Sequence, residues 1–375
     1  MERKLPARHR MARYITLVTL IAALVGGWSW FWHYAAGQAQ AAFEGWRARE
    51  AQAGRTYACG SQSLGGYPFR FEVSCDKASA VFRGPTHAPV EVKTARVLAA
   101  AQIYQPNLLI SEIKGPLTIA DLGQSPKIIA NWRLAQSSVR GTPEAPERVS
   151  LVFDQPVVDL VVDGHETNLL RADHIELHGR IAEGSAAEDP VVELAFELDH
   201  ASAPGFNPAA VEPVDAEIVG VLRGLGDLSP KPWAERFREL QKRGGRIDIT
   251  QARIKQGKTL AVGSGSLSID PNGQLQGRLD VTVAGLEPFL ISIGAQQAVQ
   301  HSHNMDKVAG MLDRLSPGLG DVAREQAGAN LALGINMLGK PAKLEGRQAV
   351  TLPMVFKDGT AYLGPIPLGP TPALF

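Results

Sequence analysis

The stretch DHIELHGRI, residues 173–181, decides the fold class. Ile175, Leu177 and Ile181 fall on one side of an extended chain, and His174, Glu176, His178 and Arg180 fall on the other. Successive side chains of a strand point to opposite faces, so this spacing predicts a strand with one covered and one wet face, as in antiparallel sheets. The same period of two recurs at 95–105, 108–119, 128–139, 149–162, 171–181, 191–198 and 214–222, and again at 246–254, 260–269 and 275–284. Asp270-Pro271-Asn272-Gly273 separates the last two runs as a turn, because proline fixes φ and Asn-Gly accepts positive φ. A closing hairpin is expected from 349–356, Asp358-Gly359 and 360–363, with a Pro/Gly-rich tail.

Helices interrupt this pattern rarely. Ser229-Pro230 suits a helix start, with Trp233, Phe237 and Leu240 at i, i+4 and i+7 and a stop at Gly244-Gly245. A second helical stretch is expected over 287–337, broken at Ser316-Pro317-Gly318, with Val308, Met311, Leu312 and Leu315 as its apolar stripe. Strands and helices do not alternate as in a Rossmann or barrel enzyme. The fold class expected is mainly β (α+β): large curved antiparallel sheet or sheets partly covered by a few helices, after one N-terminal transmembrane helix. No Ser/Gly linker or charge run cuts residues 57–375, which read as one mainly-β domain with lobes at 57–225 and 246–375.

The N-terminus carries the address. Arg3, Lys4, Arg8, Arg10 and Arg13 precede an uncharged run from Tyr14 to Trp32. These nineteen residues span about 28 Å at helical rise, roughly one hydrocarbon core. Trp28, Trp30, Trp32 and Tyr34 close the run, where amphipathic rings favour the headgroup zone. Residues 1–34 thus read as a basic tip and anchor, and 35–56, with Phe43 and Trp46 three apart, as a helical stalk. Cations on the near side place the N-terminus in the cytoplasm. The chain is then a single-pass protein of the inner membrane with its bulk in the periplasm. The alternative is a cleavable signal, since Ala39-Gln40-Ala41 has the small-x-small form. Cys59 and Cys75 flank fifteen residues. In an oxidising compartment they would close a loop worth about 3 kcal/mol. Two unrelated buried thiols are the other reading.

Candidate chemistry is sparse. With 38 Lys+Arg against 38 Asp+Glu, the chain lacks the basic excess that phosphate neutralisation demands, so no nucleic-acid partner is expected. His174-x-Glu176-x-His178 offers three ligand types on one strand face, but zinc needs convergence and a fourth ligand, and a solvated strand explains the same letters. His301 and His303 read the same way. Gly318-x-Gly320-x-x-Ala323 follows a helix, where the dinucleotide fingerprint requires a strand. Gly263-Ser264-Gly265 lacks the phosphate-loop lysine, and Asp159 and Asp163 are carboxylates of a kind any neutral sheet supplies. No catalytic, cofactor-binding or metal-binding residue is assigned, and a non-catalytic protein is expected. What remains is shape. A long sheet with one apolar face needs helices, a second sheet or an apolar ligand to cover it.

Four segments carry a resemblance: GGYPFRFEVSC (65–75), QIYQPNLLISEIKGPL (102–117), NWRLAQSSVRG (131–141) and KDGTAYLGPIPLG (357–369). They resemble the Gram-negative envelope family of unknown function numbered 2125, with Gly66, Tyr67, Pro68, Phe69, Gly359, Gly364 and Pro365 in its more specific motifs. That family transfers no catalytic residues. The segment 262–290, a glycine-punctuated hairpin, more distantly resembles AsmA-like envelope proteins. Those are anchored in the inner membrane, carry long periplasmic sheets and are implicated in phospholipid transport. The resemblance implies a non-catalytic role in envelope maintenance, binding or transferring phospholipid in an apolar sheet groove. The alternative it leaves is a periplasmic scaffold that binds another envelope protein.

Overall fold

The computed structural model describes residues 7–83, 88–142, 145–205, 211–285, 321, 339–364 and 366–375. The expected helical stretch 287–337, with His301, His303 and the glycine motif at 318–323, lies outside the described residues apart from Asp321. So does Pro365.

The chain opens with helix α1 (Ala7–Gln52), followed by β1 (Arg55–Ala58), β2 (Ser61–Gly65), β3 (Arg70–Phe82), β4 (Val90–Gln102), β5 (Gln105–Asp121), β6 (Ile128–Asn131) and β7 (Leu134–Gly141). Next come β8 (Pro146–Asp154), β9 (Val157–Val162), β10 (His165–Arg171), β11 (His174–Ser185), β12 (Glu188–Ala201) and β13 (Val214–Arg223). Helix α2 (Trp233–Lys242) leads into β14 (Arg246–Gln256), β15 (Thr259–Ile269) and β16 (Leu275–Ala284). The described chain ends with β17 (Lys340–Leu344), β18 (Arg347–Lys357), β19 (Thr360–Leu363) and β20 (Ile366–Pro370). Every strand pair whose register is defined is antiparallel, as the alternating pattern required.

Two compact units divide the chain, Met1–Ile129 and Ala130–Phe375. The lobes expected at 57–225 and 246–375 do not describe this division. The cause is direct pairing of β13 with β14, Leu222 opposite Ile247, so α2 is an excursion between two neighbouring strands and not a hinge.

In the first unit β3 is central. Its one edge pairs with β2 along 72–76 and with β1 along 79–82, and its other edge pairs with β4, which pairs with β5. The β4–β5 turn falls at Ile103-Tyr104, three residues before the expected boundary. Helix α1 is long and apolar enough to cross a membrane. It runs unbroken through Ala39-Gln40-Ala41. Its second half is no free stalk. Arg47 Nη2 donates to the Tyr57 carbonyl at 2.7 Å, the Trp46 and Tyr57 rings lie 4.9 Å apart, and Glu50 pairs with Arg55 at 2.5 Å.

In the second unit β8, β11, β12, β13, β14, β15, β16 and β18 form successive neighbours. The registers carry apolar rows straight across the sheet. One row is Leu177, Phe196, Ile218, Ala252, Gly263, Val281 and Leu352. Another is Ile181, Val192, Leu222, Ile247, Leu267, Gly277 and Phe356. The opposite face is charged: Glu176, Glu197, Glu217 and Arg253 stand in one row. Two expected strands are split. Gln155, at φ 49°, and Pro156 divide β8 from β9, because proline has no N–H for the ladder. A break at Trp132-Arg133 divides β6 from β7.

The turn at Asp270 forms as read: Asp270 Oδ1 accepts the Asn272 and Gln274 amides at 2.8 and 2.9 Å, and Gly273 sits at φ 78°. Asp358 and Gly359, at φ 52° and 69°, make the closing hairpin turn of the type whose two central residues are left-handed. The tail continues the pairing as β20 on β19.

Candidate functional site

Helix α2 sits on the apolar face of the second unit. It begins at Trp233, four residues beyond the expected Ser229. Pro230 and Pro232 hold the residues before them extended, and the Ser229 amide and hydroxyl instead donate to Asp227 Oδ1 at 2.8 and 2.5 Å. Leu240 is buried with Val192 and Leu225, and Phe237, Leu194, Leu222, Leu228 and Ile269 pack round them. Trp233, expected on the same stripe, is 77% exposed.

A knot of charges missed at the sequence level holds the α2 entry. Lys231 Nζ donates to Asp227 Oδ2 at 2.8 Å and to Glu239 Oε2 at 2.9 Å. Arg236 donates to Glu239 Oε2 at 3.0 Å and to the Asp227 carbonyl at 2.8 Å. Glu239 also accepts the Gly226 amide at 2.7 Å. The Lys231 ammonium and the Ser229 hydroxyl beside Asp227 hold its carboxyl far below the usual range, and Lys231 is raised in turn. The i, i+3 spacing of Arg236 and Glu239 was the available signal, but Asp227 joins them only through the fold.

Beside α2 the apolar face opens into a cavity of about 550 Å³ lined by Leu222, Leu225, Phe237, Leu240, Ile247, Leu267, Ile269 and Leu275, with Lys231, Arg236 and Arg246 among its polar lining. A second depression of about 240 Å³ is walled by Val149, Leu151, Leu177, Ile181, Val192 and Leu194. Leu228 borders both. The two adjoin at Leu228 on the same apolar face, and the pair is termed the trough. Face coverage is uneven: Val283, Val350 and Leu352 are buried, while Leu177 and Ile254 are each 41% exposed.

On the wet face the histidines form a line and do not converge. His174 Nδ1 meets Asp154 Oδ1 at 2.6 Å, its Nε2 meets Glu176 Oε1 at 2.8 Å, and His178 Nε2 meets Glu176 Oε2 at 2.7 Å. Arg133 closes the line on Asp154 at 2.5 Å. Hydrogen bonding to Glu176 raises the His174 imidazole, and His178, then His174, lowers Glu176. Among the described residues no three His, Cys, Asp or Glu side chains are grouped to hold a metal ion.

The anchor and motif residues meet in the first unit. Cys59 and Cys75 are joined as a disulfide, Cα atoms 5.4 Å apart, which belongs to an oxidising compartment. Gly66, at φ 95°, turns the chain so tightly that a Cβ there would lie 2.6 Å from the Arg70 carbonyl. The turn presents Tyr67, Pro68 and Phe69 to α1. Trp28 Nε1 donates to the Pro68 carbonyl at 2.9 Å, Trp32 Nε1 donates to the Arg70 carbonyl at 3.1 Å, and Ser29 Oγ meets the Tyr67 hydroxyl at 2.7 Å. The Trp32 ring stacks on Phe71 and meets Tyr67 edge-on. Trp32, read as a lipid-facing anchor, is therefore 5% exposed and packed by protein, whereas Trp30 and Tyr14 face outward. Phe69 lies in the turn and not on β3. In the second unit the Gly364 amide donates to the Pro353 carbonyl at 2.7 Å and Gly359 lies against Gln274.

No curated protein matches this chain. Residues 32–372 match the family described as "Uncharacterized protein conserved in bacteria (DUF2125)", and the chain belongs to that family.

Proposed function

We propose that this protein is a non-catalytic component of the bacterial envelope, held in the inner membrane by α1, that seats a phospholipid acyl chain in the trough beside α2. The trough carries the reading. Its larger cavity, about 550 Å³, falls within the roughly 300–1,000 Å³ of small-molecule sites. Its lining is apolar, and the Lys231 and Arg236 side chains that border it are held by Asp227 and Glu239. Retention of α1 is supported by the interlock of Trp28, Ser29 and Trp32 with the 67–71 turn, since cleavage near Ala41 would remove that half of the packing. Basic residues before the span and the disulfide after it support a cytoplasmic N-terminus and a periplasmic bulk.

The scaffold reading, another envelope protein on the same face, draws on Trp233, whose ring is exposed beside the trough. The test uses the full chain in membranes containing a phosphatidylethanolamine with a diazirine on its acyl chain. Crosslinks in β8 and β11–β15 that disappear in Leu228→Asp support lipid seating. Crosslinks confined to α1 and the first unit overturn it, and a protein adduct on the same strands in cells favours the scaffold.

A further inference from the structure

We propose that the rim of the first unit formed by Tyr67, Phe69 and Tyr104 docks into the lipid–water interface of the membrane that α1 crosses, on the side that receives the sheets. This rests on α1 being a retained span and is independent of the trough. From Ile15 to Val25 the helix shows its apolar side chains all round: Ile15, Val18 and Leu24 are 62%, 63% and 64% exposed. That surface suits hydrocarbon and ends where the sheet attaches. At helical rise Trp28 lies about 21 Å and Trp32 about 27 Å along the axis from Tyr14, close to the far boundary of a core about 30 Å thick. The hydrogen bonds from Trp28 and Trp32 to the Pro68 and Arg70 carbonyls therefore fix the 66–70 turn at headgroup depth.

The neighbouring β4–β5 turn is tied to the same level by the Ile103 amide, which donates to the Phe69 carbonyl at 3.0 Å. Tyr67, Phe69 and Tyr104 are 50%, 63% and 75% exposed at this rim. Tyrosine and phenylalanine rings exposed to water at the mouth of a membrane helix find a better medium among headgroups, with the phenol hydroxyls still wet. The rim continues the apolar surface of α1, which names the occupant: the bilayer itself. Docked there, the first sheet is seated on the membrane and not raised on a stalk.

The test uses the full chain in phosphatidylethanolamine/phosphatidylglycerol vesicles with a nitrobenzoxadiazole label on one introduced thiol; Cys59 and Cys75 are engaged in their disulfide. The label is placed through Phe69→Cys, Tyr104→Cys, Leu20→Cys or Leu122→Cys. Leu122 follows the far end of β5, about 40 Å from the Tyr104 turn along the thirteen-residue β4 that pairs with it. Labels at 69 and 104 are expected to emit to the blue of the label at 122 and to be quenched severalfold more by a shallow spin-labelled lipid. The label at 20 is expected to answer best to a deep one. Water-like emission at 69 and 104, with 20 still deep, overturns the docking alone. Water-like emission at 20 as well overturns the span on which it rests. Thiol titration confirms the disulfide in each labelled variant, and a strand-type far-ultraviolet circular dichroism spectrum equal to the parent's shows it folded.

Discussion

Replacing Trp32 by alanine removes the centre of the contact between α1 and the first sheet. The ring is 5% exposed, stacks 5.7 Å from Phe71 and gives its indole N–H to the Arg70 carbonyl. Truncating a buried tryptophan costs about 3–5 kcal/mol. With α1 as the proposed span, part of this is recovered, because a ring released here meets headgroups and not bulk water. The lower end, about 3 kcal/mol, is therefore expected, and at 1.4 kcal/mol per decade this is roughly a 100-fold rise in local opening. The amides of Phe71, Glu72 and Val73 report it, since they begin β3 beneath the ring. Hydrogen exchange of the full chain in nanodiscs should show their protection falling about 100-fold, while β11 to β13 stay as in the parent. Trp32→Phe, which keeps most of the packing and loses the donor, should lose about 1 kcal/mol. Trp30→Ala, which removes an outward-facing ring, should change β3 exchange by less than about twofold. Unchanged β3 exchange in Trp32→Ala would refute the claim that the helix and the turn form one unit.

Three further outcomes follow from the same geometry. Reducing the Cys59–Cys75 disulfide, or changing both to serine, frees a loop of fifteen residues and should lower stability by about 3 kcal/mol, read as a shift of the urea midpoint. Asp227→Asn takes one anion from the knot with Lys231 and Arg236; the site is partly solvated, so about 1 kcal/mol is expected, seen in the melting curve and as faster exchange in α2. His174 has a folded pKa raised above 6.5, so its native form holds the proton more tightly than the unfolded chain. Its contribution is complete below about pH 6.5 and fades as pH rises through the raised value, while that of Glu176, lowered from 4.5, fades as pH falls through its folded value. A melting temperature that declines over the His174 titration, and does so no longer in His174→Gln, checks the sign.

How far the residues announce this structure depends on whether the force involved is local. The faces of β11 to β16 were legible because side-chain direction follows a period of two regardless of neighbours. The Asp270 and Asp358-Gly359 turns were legible because backbone preference is local. β1 and β2 were not, since RTYA and SQSLG carry little alternating hydrophobicity and owe their extension to pairing with β3. The α2 start shifted because Ser229, a good capping residue, was captured by Asp227 two positions earlier. The aromatic cluster at 28–34 was read as a headgroup belt, and part of it is a protein interface. A ring with an apolar body and a polar tip serves both purposes, and only the partner turn at 67–71 distinguishes them.

The asymmetry of the second unit is what supports the proposed lipid seat. Scattered exposed apolar residues need no explanation, but here the registers align them into continuous rows on one face. The neighbouring positions on the other face are carboxylates, guanidiniums and imidazoles, so the chain places polar groups freely wherever water is the intended medium. Among the described residues α2, with the 225–230 loop and Leu374, lies on the apolar side, and it covers the end where Leu240, Val192 and Leu225 close over each other. Fully burying one leucine or isoleucine yields about 1.5–3 kcal/mol. Leu177 and Ile254, each 41% exposed, forgo a good part of that. A face that is apolar by register yet still open at Leu177 and Ile254 is the arrangement that gains from a removable apolar occupant. An acyl chain laid along the Leu177 and Ile181 rows would recover the missing burial and leave when its headgroup is drawn away.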